Sequence, residues 1–296
     1  MIENRAGSGQ RRAAVVVTGA ATGIGRATAR ELGARGFQVF GSVRRPADAA
    51  QLQADLGGAF TPLYCDVTDA DAVAAAARQV RDQLAGQALT GLVNNAGIAV
   101  TGPLLEVSMT DLRRQLEVNL IGQMLVTQAF APLLGTDPSR AQGKGRIVMV
   151  TSTGGKRAFP FMGPYAASKF ALEGLSESLR RELMLFGIDV IIVAPGPTAT
   201  PIWDKAEAVD PSTFAHSPFA PALGKFRDLM LRQGRKGLPP ARVADVIAEA
   251  LTAKRPKVRY TVTPTPFLNL MLTKAPKRLV DRLVARTLGI TAPAGG

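Results

Sequence analysis

Short runs of apolar, β-branched residues alternate with alanine-rich stretches along almost the whole length of this chain. Seven of these runs have the composition of buried strands: residues 13–19, 37–43, 61–67, 89–95, 145–152, 188–196 and 257–262. The stretches between them predict helices near residues 23–35, 46–56, 69–85, 110–134, 164–187 and 240–253. Continuous apolar strands separated by helices are typical of a parallel sheet that is covered on both faces. The alternation therefore predicts an α/β fold, a single doubly wound domain around a seven-stranded parallel sheet.

The segments outside this pattern set the predicted domain limits. We expect a flexible polar leader at residues 1–12, the doubly wound domain at residues 13–262, and a C-terminal amphipathic helical extension at residues 263–296. Cys65 is the single cysteine, which excludes an internal disulfide and agrees with a reducing compartment. The N-terminus lacks the apolar run of a signal peptide, and no unbroken apolar run of 18 residues occurs. These features predict a cytoplasmic protein.

The net charge of +13 is concentrated near the C-terminus. Residues 225–296 hold 15 Lys and Arg against 4 Asp and Glu, so most of the surplus lies there. Such asymmetry is compatible with nucleic acid, an anionic membrane or an anionic ligand, and equally with a solvated basic surface that serves solubility. Because the region has few aromatic residues and no nucleic-acid motif, we expect no nucleic-acid partner.

A glycine-rich turn follows the first predicted strand. The segment TGAATGIG places Gly19, Gly23 and Gly25 where a helix begins. Glycines at such a turn permit a tight bend, close approach of the backbone to a pyrophosphate, and close packing of helix on strand. The N-terminus of the helix supplies free N–H groups and the positive end of its dipole. Placed at the start of a βαβ unit, the turn predicts a nucleotide site.

This glycine spacing resembles that of the short-chain dehydrogenase/reductase family, and other segments resemble family motifs in the same order. They are Asp66-Val67 after the third strand, NNAG (94–97) after the fourth, and PGPTAT (195–200) after the sixth. The resemblance covers about residues 12–255 and implies a Rossmann-type fold, an NAD(P) cofactor and oxidoreductase activity. It implies cofactor contacts with Thr18, Gly19, Thr22, Gly23, Ile24, Gly25, Ser42, Arg44, Arg45, Asp66, Val67, Asn95, Ala96, Gly97, Tyr165, Lys169, Pro195, Gly196, Thr198 and Thr200.

The end of the second strand bears on the choice between NAD and NADP. Enzymes that use NAD carry an acidic side chain there for the ribose hydroxyls, whereas NADP enzymes offer arginine to the 2′-phosphate. Here Val43 stands at that position, beside Ser42, Arg44 and Arg45, and no carboxylate occurs before Asp48. The segment favours NADP(H) over NAD(H), unless the two arginines are only solvated surface charges.

Tyr165 and Lys169 are predicted to be the catalytic pair. They are four residues apart on a predicted helix that opens at Pro164, so their side chains share one face. A nearby ammonium is expected to lower the pKa of the tyrosine and make it a better general acid or base. The family resemblance adds Ser152, which would orient the substrate oxygen, and Asn119, which would hold a water that relays protons from Lys169. Singly, each of these residues has an ordinary structural explanation.

The segment at about residues 201–236 is predicted to form the substrate loop and lid. Its apolar residues, including Trp203, Phe214 and Phe219, suit a hydrophobic ketone or secondary alcohol, although several of them could simply pack the lid onto the sheet. The chain is similar to the hydroxysteroid and retinol dehydrogenase-like members, which implies a steroid-, retinoid- or lipid-like substrate and a homodimer or homotetramer. His216 has no paired carboxylate and is expected at a loop or pocket rim, and no metal site is expected.

The C-terminal extension has one apolar face and regularly spaced arginines from Lys277 onward. It could lie on an anionic membrane, cover the mouth of the active site or pack against another subunit. The leading hypothesis is an NADP(H)-dependent oxidoreductase that moves a hydride to or from a hydrophobic carbonyl or alcohol carbon. Two alternatives without turnover remain, a nucleotide-binding regulator on the same fold and a membrane-docked scaffold.

Overall fold

The computed structural model describes residues 12–139, 143–201 and 211–290 of the chain. Residues 1–11 of the predicted leader lie outside the described residues, as does Trp203, so neither prediction is tested.

The predicted seven-stranded parallel sheet is confirmed within the described residues. Its strands are β1 (Ala14–Val17), β2 (Gln38–Val43), β3 (Phe60–Tyr64), β4 (Gly91–Asn94), β5 (Arg146–Val150), β6 (Asp189–Pro195) and β7 (Arg259–Val262). Their order is β3-β2-β1-β4-β5-β6-β7, and every neighbouring pair is parallel. The order reverses between β1 and β4, so the carboxyl ends of these two strands border the crevice where doubly wound sheets bind ligands.

Helices cover both faces of this sheet. They are α1 (Gly23–Ala34), α2 (Pro46–Leu56), α3 (Ala70–Leu84), α4 (Met109–Leu116), α5 (Gly122–Ala131), α6 (Gly163–Glu182), α7 (Ala220–Arg235), α8 (Pro240–Thr252), α9 (Pro266–Lys274) and α10 (Lys277–Leu288). Alternate residues of β1 enter opposite layers: Val15 and Val17 pack with α1 and α8, whereas Ala14 and Val16 pack with α3, α5 and α6. Two apolar layers therefore hold the sheet, and apolar burial on both of its faces stabilises the fold.

A π-helical turn, Glu117–Ile121, joins α4 to α5. Together with the turn after α5 it makes a continuous helical stretch, Met109–Thr136, that is long and apolar enough to cross a bilayer. In this structure Val126, Phe130 and Leu133 from that stretch lie in the core layer formed by α3, α5 and α6. The burial of these residues against the sheet is that of a core helix in a globular domain.

The C-terminal extension forms α9 and α10, and α10 packs on α7. A separate apolar cluster holds this part together, with Phe161, Phe226 and Leu288 buried in it. The predicted apolar face of α10 is only partly covered, since Leu279 and Leu283 are 59% and 56% exposed. The extension therefore folds back onto the lid and leaves some of its apolar residues facing solvent.

Candidate active site

The glycine-rich turn has the backbone geometry that its glycines predicted. Gly19 and Gly23 adopt φ angles of +65° and +55°, a left-handed conformation that L-residues with a side chain rarely adopt. A Cβ atom on Gly25 would lie 2.1 Å from the carbonyl oxygen of Gly19, so no side chain fits there. The turn thus brings bare backbone to the N-terminus of α1, where a phosphate can approach.

Thr18 and Asn95 lock this turn to the end of β4. The Thr18 hydroxyl accepts hydrogen bonds from the backbone N–H groups of Asn95 and Ala96, at 2.9 and 3.0 Å. The side-chain amide of Asn95 donates in return to the carbonyl oxygen of Thr18 at 2.9 Å. Both residues were predicted to contact the cofactor, and the structure shows them binding backbone. Thr18 is buried and does not line the cleft, so its contacts position the turn.

The end of β2 carries three predicted residues with different partners. The Ser42 hydroxyl accepts a 2.9 Å hydrogen bond from the N–H of Gly19 and is thereby part of the turn. Arg45 holds both carboxylate oxygens of Asp48, at 2.9 and 2.7 Å, and this pairing lowers the pKa of Asp48. Arg44 lines the cleft with its side chain 67% exposed and lies 3.7 Å from Asp66. Both arginines line the cleft, and Arg44 has the longer and looser ion pair of the two.

Two further loops complete the nucleotide side of the cleft. Asp66 accepts hydrogen bonds from the N–H and the hydroxyl of Thr68; burial opposes its ionisation, but these bonds and Arg44 lower its pKa. After β6, Thr200 lies over the glycine turn, because a Cβ on Gly23 would meet its side chain at 3.2 Å. The cleft lining includes Gly19, Thr22, Gly23, Ile24, Ser42, Arg44, Arg45, Asp66, Val67, Asn95, Ala96, Gly97, Pro195, Gly196, Thr198 and Thr200.

Ser152 and Tyr165 meet at the carboxyl edge of the sheet. Ser152 lies two residues beyond β5, and its hydroxyl accepts a 2.9 Å hydrogen bond from the N–H of Gly154. Tyr165 is in the first turn of α6 and lines the cleft beside it. Burial raises the pKa of Tyr165, and a hydrogen bond with Ser152 only partly offsets that effect. The phenol is therefore protonated at neutral pH and available as a proton donor.

Lys169 lies one helical turn beyond Tyr165 and is 4% exposed. Its ammonium donates a 2.9 Å hydrogen bond to the carbonyl oxygen of Val150 and is 5.9 Å from the centre of the tyrosine ring. Burial lowers the pKa of Lys169 to about 8, against an opposing effect of Glu173. The sequence predicted that this ammonium lowers the pKa of Tyr165, whereas the pKa is raised in this structure, because burial is the larger effect and the group that opposes it is Ser152.

Asn119 lies in the π-helical turn and is fully buried. Its side-chain oxygen accepts from the N–H of Ile98 at 2.8 Å, and its amide donates to the carbonyl oxygen of Ile98 and to Ser168 at 3.0 and 3.1 Å. The side chain therefore ties the helix to the loop after β4 and to the residue preceding Lys169. It does not line the cleft.

The wider cleft has a volume of about 2260 Å³ and extends from the glycine turn to the C-terminal helices. Phe214 lines it as predicted, whereas Phe219 does not and packs edge-on against Phe161, with ring centres 6.1 Å apart. The exposed His216 does not line it either. Among residues 12–139, 143–201 and 211–290, no group of three or more His, Cys, Asp or Glu could hold a metal ion.

Sequence reasoning missed the substrate-side residues between Ser152 and Tyr165. Arg157, Phe159 and Met162 line the cleft from this segment. The signal in the sequence was their position, since this segment leaves β5 at the edge of the sheet where ligands bind and leads into α6. From α9 and α10 the lining adds Leu268, Asn269, Leu272, Lys277, Val280, Asp281, Leu283, Val284 and Thr287, so the extension covers one wall of the cleft.

A doubly wound sheet, a glycine-rich turn at a helix N-terminus, and Ser152 and Tyr165 facing the cleft in front of a buried Lys169 define a class of protein, the dinucleotide-dependent oxidoreductases of Rossmann type. The family model described as short chain dehydrogenase matches residues 13–210. The chain belongs to the short-chain dehydrogenase/reductase family.

Similar proteins span nearly the whole chain. An NADPH-dependent 3-dehydrocapnine reductase of Ornithobacterium rhinotracheale is 35% identical over 274 residues, which cover 92% of this chain and 96% of the relative. Human retinol dehydrogenase 5 is 35% identical over 294 residues, covering 95% and 90% of the two chains. The solved structure of a short-chain dehydrogenase from Streptomyces avermitilis is 27% identical, with a TM-score of 0.72 over 94% of this chain and 95% of that one. The protein is thus an NAD(P)-binding oxidoreductase that acts on a small molecule, and it is similar to retinol dehydrogenase-like members.

Proposed function

We propose that this protein is an NADP(H)-dependent oxidoreductase that interconverts a carbonyl and a secondary alcohol on a hydrophobic, steroid-, retinoid- or lipid-like substrate, with Tyr165 as the general acid or base. The observation that carries the proposal is the position of Tyr165, which faces the cleft beside Ser152 with its pKa raised by burial. A phenol that stays protonated at neutral pH is suited to give its proton to the oxygen of a carbonyl undergoing reduction.

The residues of the glycine turn fit a dinucleotide. Bare backbone at Gly19 and Gly23 faces the N-terminus of α1, and the contact that a Cβ on Gly25 would make excludes any side chain. The loop at Pro195–Thr200 would hold the nicotinamide end, and Asp66 and Val67 the adenine end. When bound, the nicotinamide supplies or accepts the hydride, and this chain's own side chains handle the proton.

Each member of the catalytic group has a distinct proposed role. Ser152 orients the substrate oxygen with its hydroxyl, which lies next to Tyr165. Lys169, held by Val150, supplies a positive charge behind the phenol below a pH of about 8. Because the side chain of Asn119 binds Ile98 and Ser168, we propose that it positions α6 against the loop after β4, and the water that Asn119 was predicted to hold stays a prediction.

Arg44 is the proposed determinant of NADP(H) preference. It lines the cleft at the end of β2 and is largely exposed, whereas Arg45 is already bound in bidentate fashion by Asp48. We expect Arg44→Asp to reduce the ratio of kcat/KM for NADPH to that for NADH by about 10- to 100-fold, since it replaces a charge-assisted pair with repulsion. Arg45→Gln should change the ratio less. An unchanged ratio in Arg44→Asp would remove Arg44 from the proposal.

The apolar walls of the cleft support a hydrophobic substrate. Phe159 and Met162 line it from the segment before α6, and Leu223, Phe226 and Leu229 line it from the lid helix α7. A panel of hydrophobic ketones and alcohols, followed by the absorbance of NADPH, tests the proposed reaction. Turnover that disappears in Tyr165→Phe supports it, while cofactor binding without turnover of any compound favours the regulator that was the alternative.

We further propose that the protein is cytoplasmic and touches membranes through its C-terminal helices. On α9, Phe267 and Met271 are 72% and 54% exposed, and the basic residues Lys274 and Lys277 follow them in the chain. An apolar surface bordered by positive charge suits an anionic bilayer. In a flotation assay with liposomes that contain phosphatidylserine, the wild type should float with the liposomes. A variant with Phe267→Ser and Met271→Ser should remain in the bottom fraction. Equal flotation of the two proteins would contradict membrane contact.

We also propose that copies of this chain associate with one another. Ile121 and Phe170 are both 45% exposed on neighbouring helical elements, which suits a homodimer or homotetramer interface between copies of the chain. Sedimentation velocity of the wild type and of Ile121→Glu measures this directly. A wild type that sediments as a monomer at micromolar concentration would contradict it.

A further inference from the structure

Arg157 is an arginine inside the substrate side of the cleft. It follows the turn Thr153–Gly155, which lies against the tyrosine ring, since a Cβ on Gly154 would be 3.3 Å from Cε1 of Tyr165. One of its terminal nitrogens donates a 3.0 Å hydrogen bond to the side-chain oxygen of Asn269 on α9. Its Nε is buried and has no hydrogen-bond partner. The neutral amide of Asn269 thus orients the guanidinium, and the N–H at Nε remains without an acceptor.

The charge of Arg157 has no counter-ion among the residues that the structure describes. Its neighbour Lys156 reaches Glu173 at 3.5 Å, and Arg26, whose Nε is also buried and unbonded, pairs with Asp55 at 2.6 Å. Among the described residues Asp281 also lines the cleft, but it forms no ion pair with Arg157, and no carboxylate contributes to the pKa shift of Arg157. Burial alone lowers the pKa of Arg157, and a guanidinium remains charged throughout the ordinary pH range. A partly buried charge without a partner is costly unless a ligand supplies one.

The surroundings indicate what kind of ligand that is. Phe159 and Met162 from the same segment, and Leu268 and Leu272 on either side of Asn269, give this part of the cleft apolar walls. A planar pair of N–H donors matches an oxyanion in bidentate fashion. An amphipathic molecule with an anionic group and an apolar chain satisfies both features.

We propose that Arg157 binds an oxyanion on the substrate, a sulfonate, phosphate or carboxylate, while the attached chain lies along the apolar walls formed by α7, α9 and α10. This proposal rests on the proposed function, because it places the anionic group of the substrate near the carbonyl that Ser152 and Tyr165 act on. It makes Arg157 a specificity-determining residue, and Asn269 the residue that holds it in place.

Matched ketones test this assignment. The compounds are 2-oxodecane-1-sulfonate, 2-oxodecyl phosphonate, 4-oxodecanoate and the uncharged decan-2-one, each measured with NADPH in wild type, Arg157→Gln and Arg157→Lys. We expect the wild type to favour at least one anionic ketone over decan-2-one, and Arg157→Gln to lower kcat/KM for that ketone by about 10- to 100-fold, mainly through KM. Arg157→Lys should recover part of the loss, and decan-2-one should change less than about threefold. The anionic ketone whose kcat/KM most exceeds that of decan-2-one identifies the anionic group that the site prefers.

Two controls separate binding from structure. Arg78→Gln removes an exposed arginine on α3 that does not line the cleft, and it should leave all four ketones unchanged. If Arg157→Gln lowers kcat/KM equally for charged and uncharged ketones, the residue only tethers α9 and the proposal is overturned. Equal turnover of charged and uncharged ketones by the wild type overturns it as well.

A binding measurement keeps the two proposals distinguishable. Calorimetric titration of the full-length protein with octane-1-sulfonate and with octan-1-ol reports the anion site without turnover. If no ketone is turned over but octane-1-sulfonate binds and Arg157→Gln weakens it about 10-fold or more, the proposed function fails and the anion site stands. If decan-2-one is turned over and octane-1-sulfonate binds no better than octan-1-ol, the anion site fails and the proposed function stands.

Discussion

The ammonium of Lys169 donates a 2.9 Å hydrogen bond to the carbonyl oxygen of Val150, the last residue of β5. This bond fixes α6 against the strand whose next residues lead to Ser152. Because Tyr165 is one helical turn earlier on the same face of α6, it is brought beside Ser152. One buried contact between helix and strand thereby sets the relative positions of Ser152, Tyr165 and Lys169.

The depressed pKa of Lys169 predicts a pH-dependent contribution to stability. Folded Lys169 loses its proton near pH 8, whereas the unfolded chain retains it up to about pH 10.4. Below pH 8 both states are charged and the cost of burying the ammonium is present in full. Between these values the unfolded state binds more protons, so the free energy of unfolding rises with pH. Urea denaturation of wild type and Lys169→Met at pH 7 and pH 9.5 measures this. From pH 7 to pH 9.5 the free energy of unfolding should rise in the wild type relative to the variant. A difference between the two proteins that is the same at both pH values would contradict a buried ammonium.

Glu173 is predicted to be a positioning residue behind the catalytic group. It is 3% exposed, accepts a 2.6 Å hydrogen bond from Thr151, and forms ion pairs with Arg259 and Lys156. Glu173→Gln leaves these cations without a partner, so the free energy of unfolding should fall by about 3 kcal/mol. It also removes the charge that raises the pKa of Lys169, so the alkaline limb of the kcat/KM profile should move to lower pH.

Glu177→Gln is the matched control for that experiment. Glu177 is one turn further along α6 and pairs with Arg181 in an exposed position, with side chains 48% and 61% exposed. Its loss should cost less than about 1 kcal/mol and leave the pH profile in place. Equal effects of the two substitutions would show that Glu173 acts only as another charge on the helix.

Gly25→Ala should disrupt the nucleotide turn. The new methyl group would lie 2.1 Å from the carbonyl oxygen of Gly19 and 2.6 Å from the amide nitrogen of Asn95, so backbone must move. We expect a loss of about 1–3 kcal/mol of stability and a large fall in affinity for NADPH, measured by fluorescence titration. Gly174→Ala is the control, because Gly174 is at an exposed position of α6 and nothing lies within 4 Å of where its Cβ would be. This substitution should stabilise the protein by about 0.5–1 kcal/mol. Normal NADPH affinity in Gly25→Ala would contradict the assigned turn.

Phe161 combines an unusual backbone with buried packing. Its φ is +65°, and its ring packs edge-on against Phe226 with centres 5.5 Å apart. Phe161→Ala loses the ring and keeps the left-handed backbone, so it should cost about 3–5 kcal/mol. Phe161→Gly relieves that backbone and should be no more destabilising than alanine, although glycine is ordinarily worse by about 0.5–1 kcal/mol. Thermal and urea denaturation of both variants measure this difference. A glycine variant that is clearly less stable than the alanine variant would contradict a strained backbone at Phe161.

Several features of the site could be predicted because they follow from local geometry. Strand ends of a parallel sheet share one edge, so the order of apolar runs placed the glycine turn and Ser152 together. Residues four apart on a helix share a face, so Tyr165 and Lys169 could be paired from spacing alone. Gly19 and Gly23 were identified for the same reason, since their conformation is a property of the turn itself.

Other features depend on partners that are distant in the chain. Arg44 and Arg45 look alike in sequence, yet Asp48 occupies only Arg45. Phe219 was expected in the substrate pocket, and packing against Phe161 turns it away from the cleft. Arg157 carries no motif, and its importance emerges only once α9 brings Asn269 to it.

By itself, the sequence determined the doubly wound sheet, the glycine-rich turn and the shared helical face of Tyr165 and Lys169, because periodicity and spacing act through the backbone over a few residues. Only the tertiary structure decided the direction of the pKa shifts of Tyr165 and Lys169, and which of the predicted site residues face the cleft. Burial raises the pKa of Tyr165, against the expectation from the nearby ammonium, and burial lowers the pKa of Lys169. Desolvation depends on everything packed around a group, and most of those neighbours come from other segments of the chain.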